Sequence, residues 1–320
     1  MREKIPAMPV MPYGTKDPED PSRRKFLKTL GAIGLGSAIA GTGLGVFVEG
    51  TDRHFRDEEK RRKQIEDEEK ARKIKERLEL QKIAAGENPM DTYFRAGSIR
   101  EIGQEQFEKA VEYWAARYEV GKDAERFRSA VEKMAPHFRT MKSVFEEKEV
   151  PPALMFVSIY ESFWDNESWG HRDSDGPAGP FQLMRDTAKR MHVGDRTDWH
   201  EASQGAAKLL SDMIGEMDGI ELFGVLKYNG TFVGKFLQDW KSRNGDARPT
   251  VTDFYSFMSH KAAESQSDPE RLRGMRINAE YLVKFLATIR TIGRIDDSEQ
   301  KLEPIRNLCG DYDRNVNAGR

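Results

Sequence analysis

From about Arg100 to Arg294, apolar residues recur three or four positions apart, which argues against any fold built mainly on sheets. Phe107, Val111, Trp114 and Tyr118 set the spacing, and Phe127, Val131 and Met134 continue it. Phe138, Met141, Val144 and Phe145 extend it further. Residues so spaced lie on one helix face, so each set marks an amphipathic helix. Pro151-Pro152 opens another helix, where proline costs nothing because the first amides have no intrahelical partner. The following run, Ala153 to Tyr160, is apolar on nearly every side, as a central buried helix would be. There are no convincing period-2 strands or hairpin turns, although short strands fit near Trp164–Gly179. The expected fold class is all-α (mainly α).

Composition removes several functions. Lys plus Arg is 52 and Asp plus Glu is 54, a net charge of −2, without the basic excess of a nucleic-acid-coating protein. The single cysteine, Cys309, excludes an intrachain disulfide and a cysteine-based zinc site. The histidines at 54, 137, 171, 192, 200 and 260 lack ligand spacing, so neither a metal nor a cofactor is expected. Phosphate-cradling glycine loops and Ser-His-Asp motifs are also absent.

The amino-terminal third has a different character. Residues 1–28 are expected to be a disordered basic region that ends in Ser22-Arg23-Arg24-Lys25-Phe26-Leu27-Lys28, which resembles a twin-arginine export signal. Residues 29–48 are uncharged, and six glycines between Gly31 and Gly45 make a poor soluble helix. Twenty residues are enough to span a bilayer, so an uncleaved inner-membrane anchor is expected, with cleavage near Ala40 as the alternative. The basic residues precede this run, which puts the rest of the chain outside, in the periplasm. Residues 49–99 read as a charged helical stalk and linker. Within 52–82 there are ten acidic and twelve basic side chains and no Pro or Gly. Glu58/Arg62, Glu59/Lys63, Glu66/Lys70, Glu68/Arg72 and Glu69/Lys73 place acid before base at the helical spacing that favours pairing. Residues 100–294 are then expected to form one helical domain, and 295–320 a polar tail.

The chemistry is expected at the end of the apolar run. Glu161 follows Val157 and Leu154 at helical spacing, so it shares their buried face. Apolar surroundings disfavour the carboxylate and raise its pKa, which suits a general acid near neutral pH. Four blocks then follow in order. Glu161-Ser162 leads through the loop Gly170–Gly179 to Pro180-Phe181-Gln182-Leu183-Met184. Asp198 to Leu210 forms the second block, Lys227-Tyr228-Asn229-Gly230 the third, and Tyr281-Leu282-Val283-Lys284 the last. Over residues 120–292 the set resembles lytic transglycosylases with a lysozyme-like fold, and its order and spacing are nearest to the membrane-bound lytic murein transglycosylase D branch. Lys227, Thr231, Pro180 and the pair Ile277-Asn278 depart from the family pattern, and none of these changes removes the acid.

The resemblance implies peptidoglycan glycan strands as substrate. Glu161 would protonate the oxygen between N-acetylmuramic acid and N-acetylglucosamine, then accept the C6 hydroxyl proton as a 1,6-anhydro ring closes. It also implies substrate-binding roles for Ser162, Gln182, Tyr228, Asn229 and Tyr281. For Tyr228 and Tyr281, core packing with a satisfied hydroxyl is the competing reading. Trp164, Trp169, Trp199 and Trp240 fit either sugar stacking or the core. A hydrolytic muramidase on the same fold would need a second carboxylate or a positioned water, about 5–5.5 Å or 6.5–9.5 Å across the bond. Asp165, Asp173, Asp175 and Asp186 are its candidates, and each also fits a turn or a helix start. An inactive peptidoglycan-binding scaffold is the reading from another class.

Overall fold

The computed structural model describes residues 43–94, 102–165, 175–230, 232–265, 267–295 and 301–318, with side chains described from residue 58. Among these residues the regular structure is helical, and the only pairing of β type is an isolated bridge between Ala178 and Leu183. The chain divides into two compact units at Lys70–Ala71.

The division falls inside helix α1, Gly43–Ala85. Every side chain from Glu58 to Glu79 is exposed, as expected of a helix carrying charge on all sides. Glu66 and Lys70 close one of the expected pairs at 2.5 Å, and Arg72 lies 3.7 Å from Glu76. Among the described residues no helix is long and apolar enough to cross a membrane. Of the expected anchor, 29–42 lies outside the described residues and 43–48 forms the first turns of α1.

The second unit is a helical body with one long helix at its centre. In chain order its elements are α2 (Pro89–Tyr93), α3 (Gln104–Glu119), α4 (Ala124–Met134) and α5 (Phe138–Glu147). A 3-10 turn, Pro152–Phe156, leads into α6 (Val157–Ser162), followed by α7 (Arg185–Arg190) and α8 (Trp199–Glu216). Then come α9 (Glu221–Asn229), α10 (Phe232–Asn244), α11 (Val251–Glu264), α12 (Pro269–Arg294) and α13 (Glu303–Ala318). Helix α12 packs against both α3 and α13, and it also touches α6 and α9. It therefore reaches both sides of the Glu161 region.

The expected central segment is as buried as its composition demands. Leu154, Met155, Phe156, Val157 and Ile159 are wholly inaccessible. Apolar burial of this kind contributes roughly 25 cal/mol per Å² removed from water, and it fixes where the segment ends.

Two segments expected to be linker and tail are packed instead. Met90 and Phe94 are buried in the core, so the body begins within the segment read as linker. Helix α13 buries Leu302 on entry, then Ile305 and Cys309, inside the segment read as a polar tail. Its apolar positions are few, and they are legible only once α12 supplies the opposing surface. The two helices approach at paired glycines, since a Cβ on Gly293 would lie 3.5 Å from the Gly310 backbone.

Candidate active site

Helix α6 stops at Ser162. Phe163 takes a left-handed conformation (φ +50°), with its N–H on the Ile159 carbonyl at 2.8 Å. A non-glycine residue rarely adopts this geometry, so its surroundings must hold it there. The Phe163 ring lies 4.6 Å below the Arg126 guanidinium, and Trp164 donates Nε1 to Ser158 Oγ at 3.0 Å. Glu161 is thereby presented at a fixed helix end.

The loop facing that end is equally determined. Gly179 has φ +76°, and a Cβ there would come within 1.6 Å of the Arg196 carbonyl oxygen, so only glycine fits. Buried Arg196 donates Nη1 to the Gly176 and Leu183 carbonyls at 2.6 and 2.9 Å. Gln182 (φ +48°) donates both its backbone N–H and its Nε2 to the Gly179 carbonyl, at 3.1 and 2.8 Å.

Ser162 joins loop and helix. Its Oγ lies 3.0 Å from the carbonyls of both Ser158 and Pro180 and accepts from the Trp164 N–H at 3.2 Å. The residue is 1% exposed, so it braces the wall behind Glu161 and does not face a groove. Tyr228 supports the loop from the other side, donating its hydroxyl to the Phe181 carbonyl at 2.7 Å. Asn229, the last residue of α9, is exposed. The next residue, Gly230, lies directly against Asn278: a Cβ at Gly230 would fall 2.1 Å from Asn278 Nδ2. Asn278 is buried, and its Oδ1 has no hydrogen-bond partner.

Helix α12 delivers the residue that touches the acid. Tyr281 donates its hydroxyl to Glu161 Oε1. Its ring meets Tyr160 edge-on, with centroids 4.8 Å apart. Glu161 is mostly buried with a partly accessible edge, and burial pushes its pKa up to about 7, with the Tyr281 hydrogen bond opposing the rise. A carboxyl shifted mainly by desolvation is a proton donor near neutral pH. Burial and the nearby Glu161 raise the pKa values of Tyr160, Tyr228 and Tyr281, so all three stay neutral donors.

Glu161, Tyr281, Tyr228, Ser162 and the Gln182 loop therefore converge from α6, α9, α12 and residues 175–184. Asp165 pairs with Arg126 at 3.4 Å and Asp175 with Arg185 at 2.8 Å. Asp186 is exposed in the first turn of α7, and Asp173 lies outside the described residues. Trp164 and Trp199 both stack on His137, at 5.5 and 4.2 Å, and Trp240 donates Nε1 to the Ala247 carbonyl at 2.6 Å. These three indoles pack or bond within the protein, and Trp169 lies outside the described residues. Sequence reasoning missed Arg196, Asn278 and Tyr160. Tyr160 had a signal, being next to Glu161 in the buried run, whereas nothing local marks Arg196.

Comparison with known proteins gives one family and one relative. Residues 142–250 match the family described as Transglycosylase SLT domain. The matched stretch holds Glu161, Ser162, Gln182, Tyr228 and Asn229, and leaves Tyr281 beyond its end. Over 202 residues the chain is 23% identical to the membrane-bound lytic murein transglycosylase F of Salmonella arizonae. That similarity covers 59% of this chain and 38% of the relative. No solved structure matches the chain.

Proposed function

We propose that this protein is a lytic transglycosylase acting on peptidoglycan, with Glu161 as its acid. The observation that carries the reading is a carboxyl near neutral pKa with one oxygen already engaged by Tyr281. The match to the transglycosylase domain and the murein transglycosylase relative support the same chemistry. With Tyr281 donating to Oε1, the acidic proton resides on Oε2. Oε2 gives that proton to the oxygen linking N-acetylmuramic acid to N-acetylglucosamine, and the glycosidic bond breaks. The acetamido oxygen of the muramic residue stabilises the cationic carbon. Glu161, now a carboxylate, takes the proton of the C6 hydroxyl, and O6 closes the 1,6-anhydro ring. One carboxyl suffices for both transfers. The engagement of Asp165 and Asp175 with arginines supports this course over hydrolysis through either of them as a second carboxylate.

Gln182 and Asn229 would hydrogen-bond the sugars, while Tyr228 and Ser162 hold the loop that carries Gln182. The block order supports a place in the D branch. The twin-arginine-like segment and residues 29–48 support a periplasmic location with an inner-membrane anchor.

The test is to incubate the protein and its Glu161→Gln variant with purified peptidoglycan and identify the released sugar ends by mass spectrometry. Anhydromuramic ends that disappear in the variant are expected. Reducing ends would make the protein a muramidase. Binding without release from either protein would make it a scaffold.

A further inference from the structure

The connection from α1 into the body is wired to the helix that carries Tyr281. Asn88 caps α2 by accepting from the Met90 N–H through Oδ1 at 3.0 Å, while its Nδ2 donates to Glu280 Oε1 at 2.5 Å. Glu280 is 6% exposed and precedes Tyr281 in the chain. Its second oxygen lies 3.0 Å from Lys284 Nζ. The Lys284 ammonium sits 4.2 Å from the Trp114 ring and 5.8 Å from the Tyr160 ring, and Tyr160 in turn meets Tyr281 edge-on. One turn earlier on α12, Arg276 pairs with Asp91 of α2. A contiguous set of contacts thus runs from Asn88 through Glu280, Lys284 and Tyr160 to the Tyr281–Glu161 pair.

A carboxylate this buried is costly unless both of its oxygens are satisfied. Asn88 supplies one of the two donors, from a segment 192 residues away in the chain. We propose that Asn88, acting through Glu280, is a positioning residue for the Tyr281–Glu161 pair, so that the connector 86–94 is part of the working site. The proposal rests on the reading of Glu161 as the acid. Glu280 is faced by Lys284 of its own helix, Tyr160 of α6 and Tyr118 of α3. Glu161 is faced by Tyr281 of α12, Tyr228 of α9 and its neighbour Tyr160.

Asn88→Asp separates positioning from capping. Aspartate caps a helix as well as asparagine does, but it sets a second carboxylate against Glu280 in place of a donor. The decisive measurement is the titration of the Glu161 carboxyl by carbon-13 NMR in the full chain, with Glu161→Gln identifying its resonance. In Asn88→Asp the midpoint is expected to rise by about half a unit or more, because negative charge is added and the Tyr281 hydrogen bond weakens. Glycan release should fall about tenfold, short of the ~10²-fold that a misplacement of about 1 Å can cost. The double variant Asn88→Asp/Glu280→Gln lets glutamine donate to the new aspartate and should restore both quantities. An unmoved midpoint in Asn88→Asp, or no recovery in a folded double variant, would overturn the proposal. Failure of the wild-type protein to release glycan would remove the enzymatic reading, while the titration would still decide the coupling.

Discussion

Helix α12 contributes to two buried charge sites nine residues apart, and they are built on opposite terms. At one, Tyr281 meets Glu161, a carboxyl with burial against it and a single hydroxyl in its favour. At the other, Arg290 is 9% exposed and lies 3.1 Å from Glu108, 3.5 Å from Glu112 and 3.4 Å from Asp313. Partners outweigh burial there, so the guanidinium pKa is raised and the charge is held. At Glu161 burial outweighs the one partner, and the group is left near pH 7. The Arg290 arrangement ties α3, α12 and α13 together, and the Glu161 arrangement leaves a carboxyl that keeps its proton up to near-neutral pH. Burial is common to both, so the number of partners separates structural charge from chemistry.

The sharpest way to break the comparison is Glu161→Gln. It should lower glycan release by about 10²–10⁴-fold, the range of general acid catalysis, when assayed on purified peptidoglycan. The matching change at the other site is Arg290→Ala, which removes the shared partner of Glu108, Glu112 and Asp313, while Glu112 keeps Arg294. Urea denaturation should show a loss of about 3–5 kcal/mol, with activity per folded molecule unchanged. A large activity defect in the folded Arg290→Ala protein would erase the distinction.

Smaller effects sharpen it. The upward shift of Glu161 means that the folded state binds more protons than the unfolded chain between pH about 4.5 and about 7. Stability from this group is therefore full below pH about 4.5 and is lost as pH rises through about 7. Glu161→Gln should raise the melting temperature at pH 8 and change it little at pH 4. Tyr281→Phe removes the one interaction that lowers this pKa. The alkaline limb of kcat/KM, expected near pH 7 in the wild type, should then move to higher pH, with release reduced about tenfold. At the far end of the scale, Glu66→Ala breaks an ion pair open to solvent on α1, and its melting curve should overlay that of the wild type.

Much of the site was legible locally. Spacing put Glu161 on the buried face of an apolar segment, and burial then raised its pKa as expected. The blocks at Gln182, Tyr228 and Tyr281 pointed to residues that do converge on that end of α6. Ser162 was expected at the substrate and instead braces the loop, because a hydroxyl at 1% exposure serves the carbonyls around it. The packed character of 89–94 and 303–318 escaped the sequence because short segments with few apolar residues carry little periodic signal.

The sequence by itself determined the helices, the exposed character of α1 from Glu58 to Glu79 and the residue able to hold a proton. Periodicity and composition act over a few turns, and those properties need no more. Tertiary structure alone decided that Tyr281 reaches Glu161 across 120 residues and Asn88 reaches Glu280 across 192. It also decided that Gly179 must leave room for the Arg196 backbone. Contacts at such separations follow from which helix faces pack together, and that choice belongs to the core as a whole.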